Sequence, residues 1–577
     1  MKARRFLTQW LLAPLNLMGV MGLSGGGGGF SSPTNESERR FRSFLMEHEG
    51  KLAPLAQSSA LAHWQATASG VSSDYEQLAE TELNLNRLYT NREEFAELRA
   101  LRASGEVKDP LLKRQLDLLY NVYLSTQFDE KLMEEIVTLS AQLGEHFNKY
   151  RATVHGVELS DNEVGKVLRH SDDVAYRQQV WEASKGIGRV VEADMLKLVR
   201  LRNQAAQQLG YANYYHLALE SGEQNEDALF VLLNEMAERT DEPFRQLKTT
   251  LDKHLAQRFG ISEAELRPWH YEDRFFQETP SAGSVDLDTY YANKDVVKLA
   301  EQFYQELGLP VDGVLQKSDL YGRSGKYQHA YCTDIDRSGD VRIMCSVVPS
   351  EHWMDTMLHE LGHAVYDLGI STQPLPWLLR SAAHTFTTEG VANLMGRLSA
   401  NAYWMQRYVG LSEEETRTLA PRLRARTCMG ALIFARWCLV MAHFERQLYM
   451  HPEQDLNALW WQLVARYQGL TPPEGRQAPD WAAKIHLVSS PVYYHNYLLG
   501  DLYASQLHDT ICRRFYPGRD PWTVYYGDHS EVGAFLSRAV FAPGARWRWD
   551  HFVEESTGEP LSPRSFAALF IPPSEVS

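Results

Sequence analysis

Residues 356–367 read Thr-Met-Leu-His-Glu-Leu-Gly-His-Ala-Val-Tyr-Asp, a stretch carrying His-Glu-x-x-His at His359, Glu360 and His363. On a helix, residues four apart share a face. Both imidazoles can then aim a ring nitrogen at one metal ion, and Glu360 lies beside that face, placed to take a proton from water at the ion. Among 20 histidines in 577 residues, chance alone produces such a match about one time in twenty, so the motif needs support from its surroundings. Trp353, Met354, Met357 and Leu358 would bury one side of the helix, and buried imidazoles without partners are costly. A pair of core histidines satisfied by hydrogen bonds is the competing reading. A catalytic zinc site asks for a third protein ligand and one open position. The run Thr387-Thr388-Glu389-Gly390-Val391-Ala392-Asn393 follows a loop with Pro374 and Pro376. It offers Glu389, an acid in an apolar stretch, whose alternative reading is a helix-start glutamate stabilised by the helix dipole. One Zn2+ on His359, His363 and Glu389 is the cofactor expected; zinc acts as a Lewis acid and lowers the pKa of bound water towards about 7.

The elements that must position these residues are helical. From about Ser37, Phe41, Phe44, Leu45 and His48 share one face. Helical patterns continue through residues 131–150, 174–182, 192–209, 227–255 and 295–307, the last stopped by Gly308 and Pro310. Between about Lys326 and Val348, Tyr327, Tyr331, Ile335, Val341 and Ile343 sit among Asp, Ser and Gly, and residues 337–340 read as a turn, so one short β-hairpin is expected. Helix resumes from Glu351 to about Gly369 and dominates to the end. The chain lacks βαβ alternation, G-x-G-x-x-G and a P-loop, so nothing in it supports a nucleotide fold. A mainly α fold with one small hairpin follows.

Composition narrows the function classes. The net charge of −16 argues against nucleic acid, whose phosphates need clustered Lys and Arg. Five cysteines without a C-x-x-C pair read as small buried residues and give no disulfide framework. Lys2, Arg4 and Arg5 precede an apolar stretch from Phe6 to about Leu23, then Gly25–Gly29. This has the layout of a secretory signal and is interrupted by Gln9, Pro14 and Asn16, which makes a poor membrane span. Residues 1–36 are thus read as a signal or flexible segment and 37–577 as one peptidase domain, exported or, alternatively, cytoplasmic. No later segment is read as long and apolar enough to cross a membrane.

Four ordered blocks carry a family resemblance. They are Lys298–Tyr304 with Leu307-Gly308-Leu309; His329-Ala330 with Gly339–Cys345; the H-E-L-G-H helix with Leu378-Leu379-Arg380 and Glu389; and Lys484-Ile485-His486 with Tyr494 and Tyr497. They span about Asp295 to His508, with weaker similarity back to about Ser37. The chain resembles the peptidyl-dipeptidase A family, the angiotensin-converting-enzyme-like zinc peptidases, of the single-domain bacterial type. The resemblance implies an elongated helical domain, two halves around a deep central cleft with zinc on its floor. It implies His359, His363 and Glu389 as zinc ligands and Glu360 as general base and acid. It further implies His486 and Tyr497 as oxyanion donors, His329 and Ala330 as the edge holding substrate backbone, and Lys484 and Tyr494 as the grip on a C-terminal carboxylate. A Lys plus a phenol suits a lone carboxylate.

The expected activity is release of dipeptides from short peptides by a monomer. Single-residue release, oligoendopeptidase action and an inactive peptide-binding protein are the alternatives. Several positions depart from the family pattern. Asn393 stands where Asp is usual, at a place that orients a zinc-bound His; Asp367 on the histidine helix is either a contributor there or a solvated charge. Tyr493 competes with Tyr494 for one alignment. Gln328 replaces a cysteine of the hairpin disulfide while Cys345 remains, and Asn496 replaces an arginine associated with chloride activation. Peptidase activity is therefore expected to be unchanged between chloride-free and chloride-containing buffers; a large rise with chloride would overturn that reading.

Overall fold

The computed structural model describes residues 35–280 and 285–571; the N-terminal signal-like segment lies outside them. These residues are mainly α-helical, and the strands form two separate two-stranded sheets. The hairpin expected from residues 326–348 is present as β3 (Tyr331–Asp334) and β4 (Val341–Met344), antiparallel with Cys332 opposite Ile343. Its turn is closed by side chains: Asp334 accepts from the backbone of Asp336 and Arg337, and Asp336 from that of Ser338 and Asp340. The second sheet, β1 (Ala152–Val154) and β2 (Val157–Leu159), corrects the expectation of one hairpin. Both residues of its two-residue turn, His155 and Gly156, have positive φ (52° and 79°), as the twist of a tight hairpin requires. The signal was the alternation of Ala152-Thr153-Val154 and Val157-Glu158-Leu159 around a His-Gly pair.

Three helices build the centre. The histidine helix, Glu351–Ser371, starts at Ser350, whose hydroxyl accepts from the Trp353 amide at 3.2 Å, satisfying one orphan donor of the first turn. Met354, Met357, Leu358 and Leu361 on its inner face are fully buried, with Trp353 at the edge. The glutamate helix, Thr385–Gly396, is capped by His384 and Thr387. The tyrosine helix, His495–Phe515, packs against it. The first two approach so closely that a methyl group on Gly362 would lie 2.9 Å from Ala392 Cα. At Gly390, a Cβ would lie 2.7 Å from Tyr503 and 3.0 Å from the Gly500 carbonyl of the tyrosine helix. Small residues are what permit backbones to cross at this distance.

One expectation is corrected here. Helix Glu413–Met450 is long and apolar enough to cross a membrane by length and composition, with a window of mean hydropathy 1.5. Two-thirds of that window (67%) is buried inside the protein, and Trp437, Cys438, Leu439, Val440 and Met441 are fully buried. A helix apolar on all sides is what the centre of a large core demands, which accounts for its composition.

Gly362→Ala is expected to destabilise the metal-free protein by about 1–3 kcal/mol through overpacking. Gly50→Ala, in a helix interior with open space around it, is expected to gain about 0.5–1 kcal/mol. Denaturant unfolding of both variants checks the contrast.

Candidate metal centre

The crossing of the two helices brings His359, His363 and Glu389 together, with one ligand atom from each lying within 4.8 Å of the others. His359 Nε2 is 3.8 Å from Glu389 Oε1 and His363 Nε2 is 3.7 Å from Oε2. Donors bound at about 2.0–2.1 Å to one ion lie at most about 4.2 Å apart, so these carboxylate–imidazole pairs meet the requirement. Glu389 is past the first turn of its helix, which holds no acid, so the dipole-stabilised alternative does not describe it. His363 Nδ1 lies 2.7 Å from the Thr388 hydroxyl, and the His359 ring hydrogen-bonds the Asn393 side chain. Both rings thus keep Nε2 towards Glu389. Burial holds His359 and His363 below the usual imidazole range, in the neutral form that binds metal.

Glu360 is 7% exposed. Its carboxylate accepts from the Cys332 backbone amide of β3, so the hairpin edge aims it. Burial, then the Glu389 carboxylate, push Glu360 up to about 8; burial, then Asp501, push Glu389 up to about 7. A buried and a half-buried acid beside two neutral imidazoles make a donor set whose natural complement is a divalent cation. The residues fit a zinc ion.

Beyond the histidine pair lies an aromatic cluster. His486 lies 5.2 Å from Tyr494 and 6.5 Å from Tyr497, ring to ring, and Tyr494 and Tyr497 are 5.2 Å apart. Burial, and then the Lys484 charge, lower His486 to about 3, while burial and the Glu389 charge raise Tyr497. His486 is therefore neutral and Tyr497 protonated, and each can donate one hydrogen bond. Lys484 is buried with its ammonium 2.8 Å from Gln277 Oε1, and it lies over Phe275, Trp437 and Tyr494. Among the described residues, no carboxylate pairs with it; burial lowers it to about 8. Tyr494 accepts from Trp437 Nε1 at 2.7 Å and reaches the same Gln277 oxygen at 3.4 Å. Tyr493 instead packs on Tyr497 and hydrogen-bonds Thr385, so the geometry joins Tyr494, rather than Tyr493, to Lys484.

His329 is exposed against the Tyr327 ring, and Ala330 is half-buried just before β3, two residues from the amide that holds Glu360. Asp367 faces the hairpin residues, with its carboxyl held well above the usual carboxylate range. It is half-buried beside Asp334 and Arg337 of the hairpin. Cys332 and Cys345 are both free. Asn496 accepts from Gln224 at 2.8 Å, and Gln224 contacts His495 at 2.6 Å, so neutral amide and imidazole groups fill that place.

Sequence reasoning missed Gln277, which sits in an irregular stretch without periodicity, its backbone held by Asp273. It also missed a buried pair that shapes the aromatic cluster. Arg202 binds the carbonyls of Leu487 and Val488, and Glu445 accepts the Val492 amide at 2.7 Å. Val492 has φ 55°, a strained conformation for a β-branched residue. It turns the chain between His486 and Tyr494. No sequence pattern announces either residue.

A mainly helical scaffold with a half-buried His-His-Glu donor set and a carboxylate poised beside it defines a zinc metallopeptidase. The chain belongs to the angiotensin-converting enzyme family, Peptidase_M2, whose sequence profile matches residues 35–267 and 279–572. It is 22% identical over 536 residues to an angiotensin-converting enzyme of Theromyzon tessulatum, covering 83% of each chain. It is 25% identical over 300 residues to that of Haematobia irritans exigua, covering 49% of this chain and 47% of the relative. It is 24% identical over 379 residues to that of Sus scrofa, covering 59% of this chain and 28% of the relative. The matched segment spans less than half of the latter two.

Zinc is expected to stabilise the protein more as pH rises. Without metal, the neutral forms of Glu360 and Glu389 contribute stability that is fully present below about pH 4.5 and lost as pH rises through about 7 and 8. A bound cation reverses that loss by favouring the ionised forms. The rise in Tm on adding zinc is expected to be larger at pH 8 than at pH 6; an equal rise at both would count against these carboxyls.

Proposed function

We propose that this zinc metallopeptidase releases dipeptides from the free C-terminus of short peptides, acting as a monomer after export. The observation that carries this reading is the buried ammonium of Lys484, which forms no ion pair among the described residues and is gathered with Gln277 and Tyr494. An unpaired buried cation is costly, and a substrate carboxylate is the partner that would complete it. Two ring steps of 5.3 Å and 5.2 Å lead from Lys484 through Tyr494 to Tyr497, which lies within electrostatic reach of Glu389. The basic residues before an apolar stretch at the N-terminus support export.

His359, His363 and Glu389 would hold zinc, which supplies Lewis-acid polarisation of the scissile carbonyl and of water. Glu360, steadied by the Cys332 amide, takes the proton of the attacking water and passes it to the leaving amine. Its elevated proton affinity suits both halves of that transfer. His486 and Tyr497 donate to the developing oxyanion. The edge at His329 and Ala330 holds substrate backbone beside the bond to be cut.

Incubation with an N-blocked tripeptide, with and without a chelator, tests the reading by product mass. A dipeptide product lost on chelation is expected; single-residue release or chelator-resistant cleavage would overturn it. Glu360→Gln is expected to lower kcat by about 10²–10⁴-fold with zinc retained. Lys484→Met should raise KM for peptides with a free C-terminus and leave C-terminal amides unaffected.

A further inference from the structure

We propose that Asp501 is a positioning residue that sets the tautomer of His359 through the side-chain amide of Asn393. The inference rests on His359 being a zinc ligand. Asn393 lies one turn after Glu389 on the glutamate helix, and Asp501 lies on the tyrosine helix packed against it. Asn393 Nδ2 donates to Asp501 Oδ1 at 3.1 Å. The same carboxylate oxygen accepts from Arg397 at 2.8 Å, and that guanidinium also lies over the Phe570 ring. The Asp501 side chain is 14% exposed.

The chain of donors has one direction. A carboxylate paired with a guanidinium only accepts, so it fixes which end of the amide faces it: the NH2 group. Asn393 Oδ1 must then face His359, with which the side chain hydrogen-bonds, and a carbonyl oxygen only accepts. His359 therefore presents an N–H there. Its Nε2 is the atom 3.8 Å from Glu389 Oε1, so the proton sits on Nδ1 and the Nε2 lone pair is left for the ion. An asparagine alone does not enforce this, because a flipped amide would offer its NH2 to Nδ1 and move the proton to Nε2. Asp501 removes that alternative. The arrangement places a carboxylate behind a metal-bound imidazole, with an amide inserted between them. Asp355, one turn before His359, acts on the ring through space and is the rival source of the effect.

The test is zinc affinity, read by chelator competition on the folded full-length protein. Asp501→Asn is expected to weaken zinc about 10–100-fold. The swap Asn393→Asp with Asp501→Asn, which moves the carboxylate directly onto His359, is expected to return affinity to within a few-fold of wild type. Unchanged affinity in Asp501→Asn, or a larger loss in Asp355→Asn, would overturn the proposal. Should the variants fail to fold, 15N-histidine spectra of the metal-free wild-type protein read the tautomer directly: a proton on His359 Nδ1 supports the relay, and one on Nε2 overturns it. Failure of the wild-type protein to bind one zinc would instead defeat the metal reading itself.

Discussion

The close crossing of the histidine and glutamate helices, with Gly362 against the Ala392 backbone, is the contact on which the centre depends. Helix geometry aligns His359 with His363, but it cannot supply a third donor from the opposite side. That donor comes from a second helix, whose own glycine lets the tyrosine helix approach in turn. Close packing makes the region stiff, and it removes water from the donors. Desolvation then keeps the imidazoles neutral and raises the two glutamates. A single packing constraint thereby sets both the geometry and the protonation of the site.

The remaining machinery is attached to this crossing by backbone hydrogen bonds. The β3 edge reaches Glu360 through the Cys332 amide. The segment with Lys484 and His486 is held from behind by Arg202, and the turn that follows by Glu445. Buried charges used in this way are expensive to desolvate. Their return is a strained turn at Val492 that presents His486, Tyr494 and Tyr497 to one another. Strain of this kind persists only where surrounding contacts over-determine it.

Helix Glu413–Met450 shows how composition can mislead. Its apolar window meets the length and hydropathy of a membrane span, but the protein's own core covers most of it. Hydropathy records what a segment must be hidden from, and a core hides it as well as a bilayer does. The His155-Gly156 hairpin was overlooked for the opposite reason. Its strands are three residues each, too short for alternation to rise above the surrounding helical pattern.

The sequence by itself determined the helical class, the shared face of His359 and His363, the position of the β3–β4 hairpin, and Glu389 on the next helical segment as the candidate third donor. These follow from periodicity and capping, which act over a few residues. It also carried the order of motifs that marks the family. Only the tertiary structure joined Gln277 to Lys484, separated Tyr494 from Tyr493, set Asp367 beside Asp334 and Arg337 and brought Asp501 to Asn393. Each of those relations links residues on different elements, and no local pattern encodes which side chains meet when helices pack. The physical reason is that hydrogen bonds and desolvation act over a few ångströms of space, however far apart the partners lie along the chain.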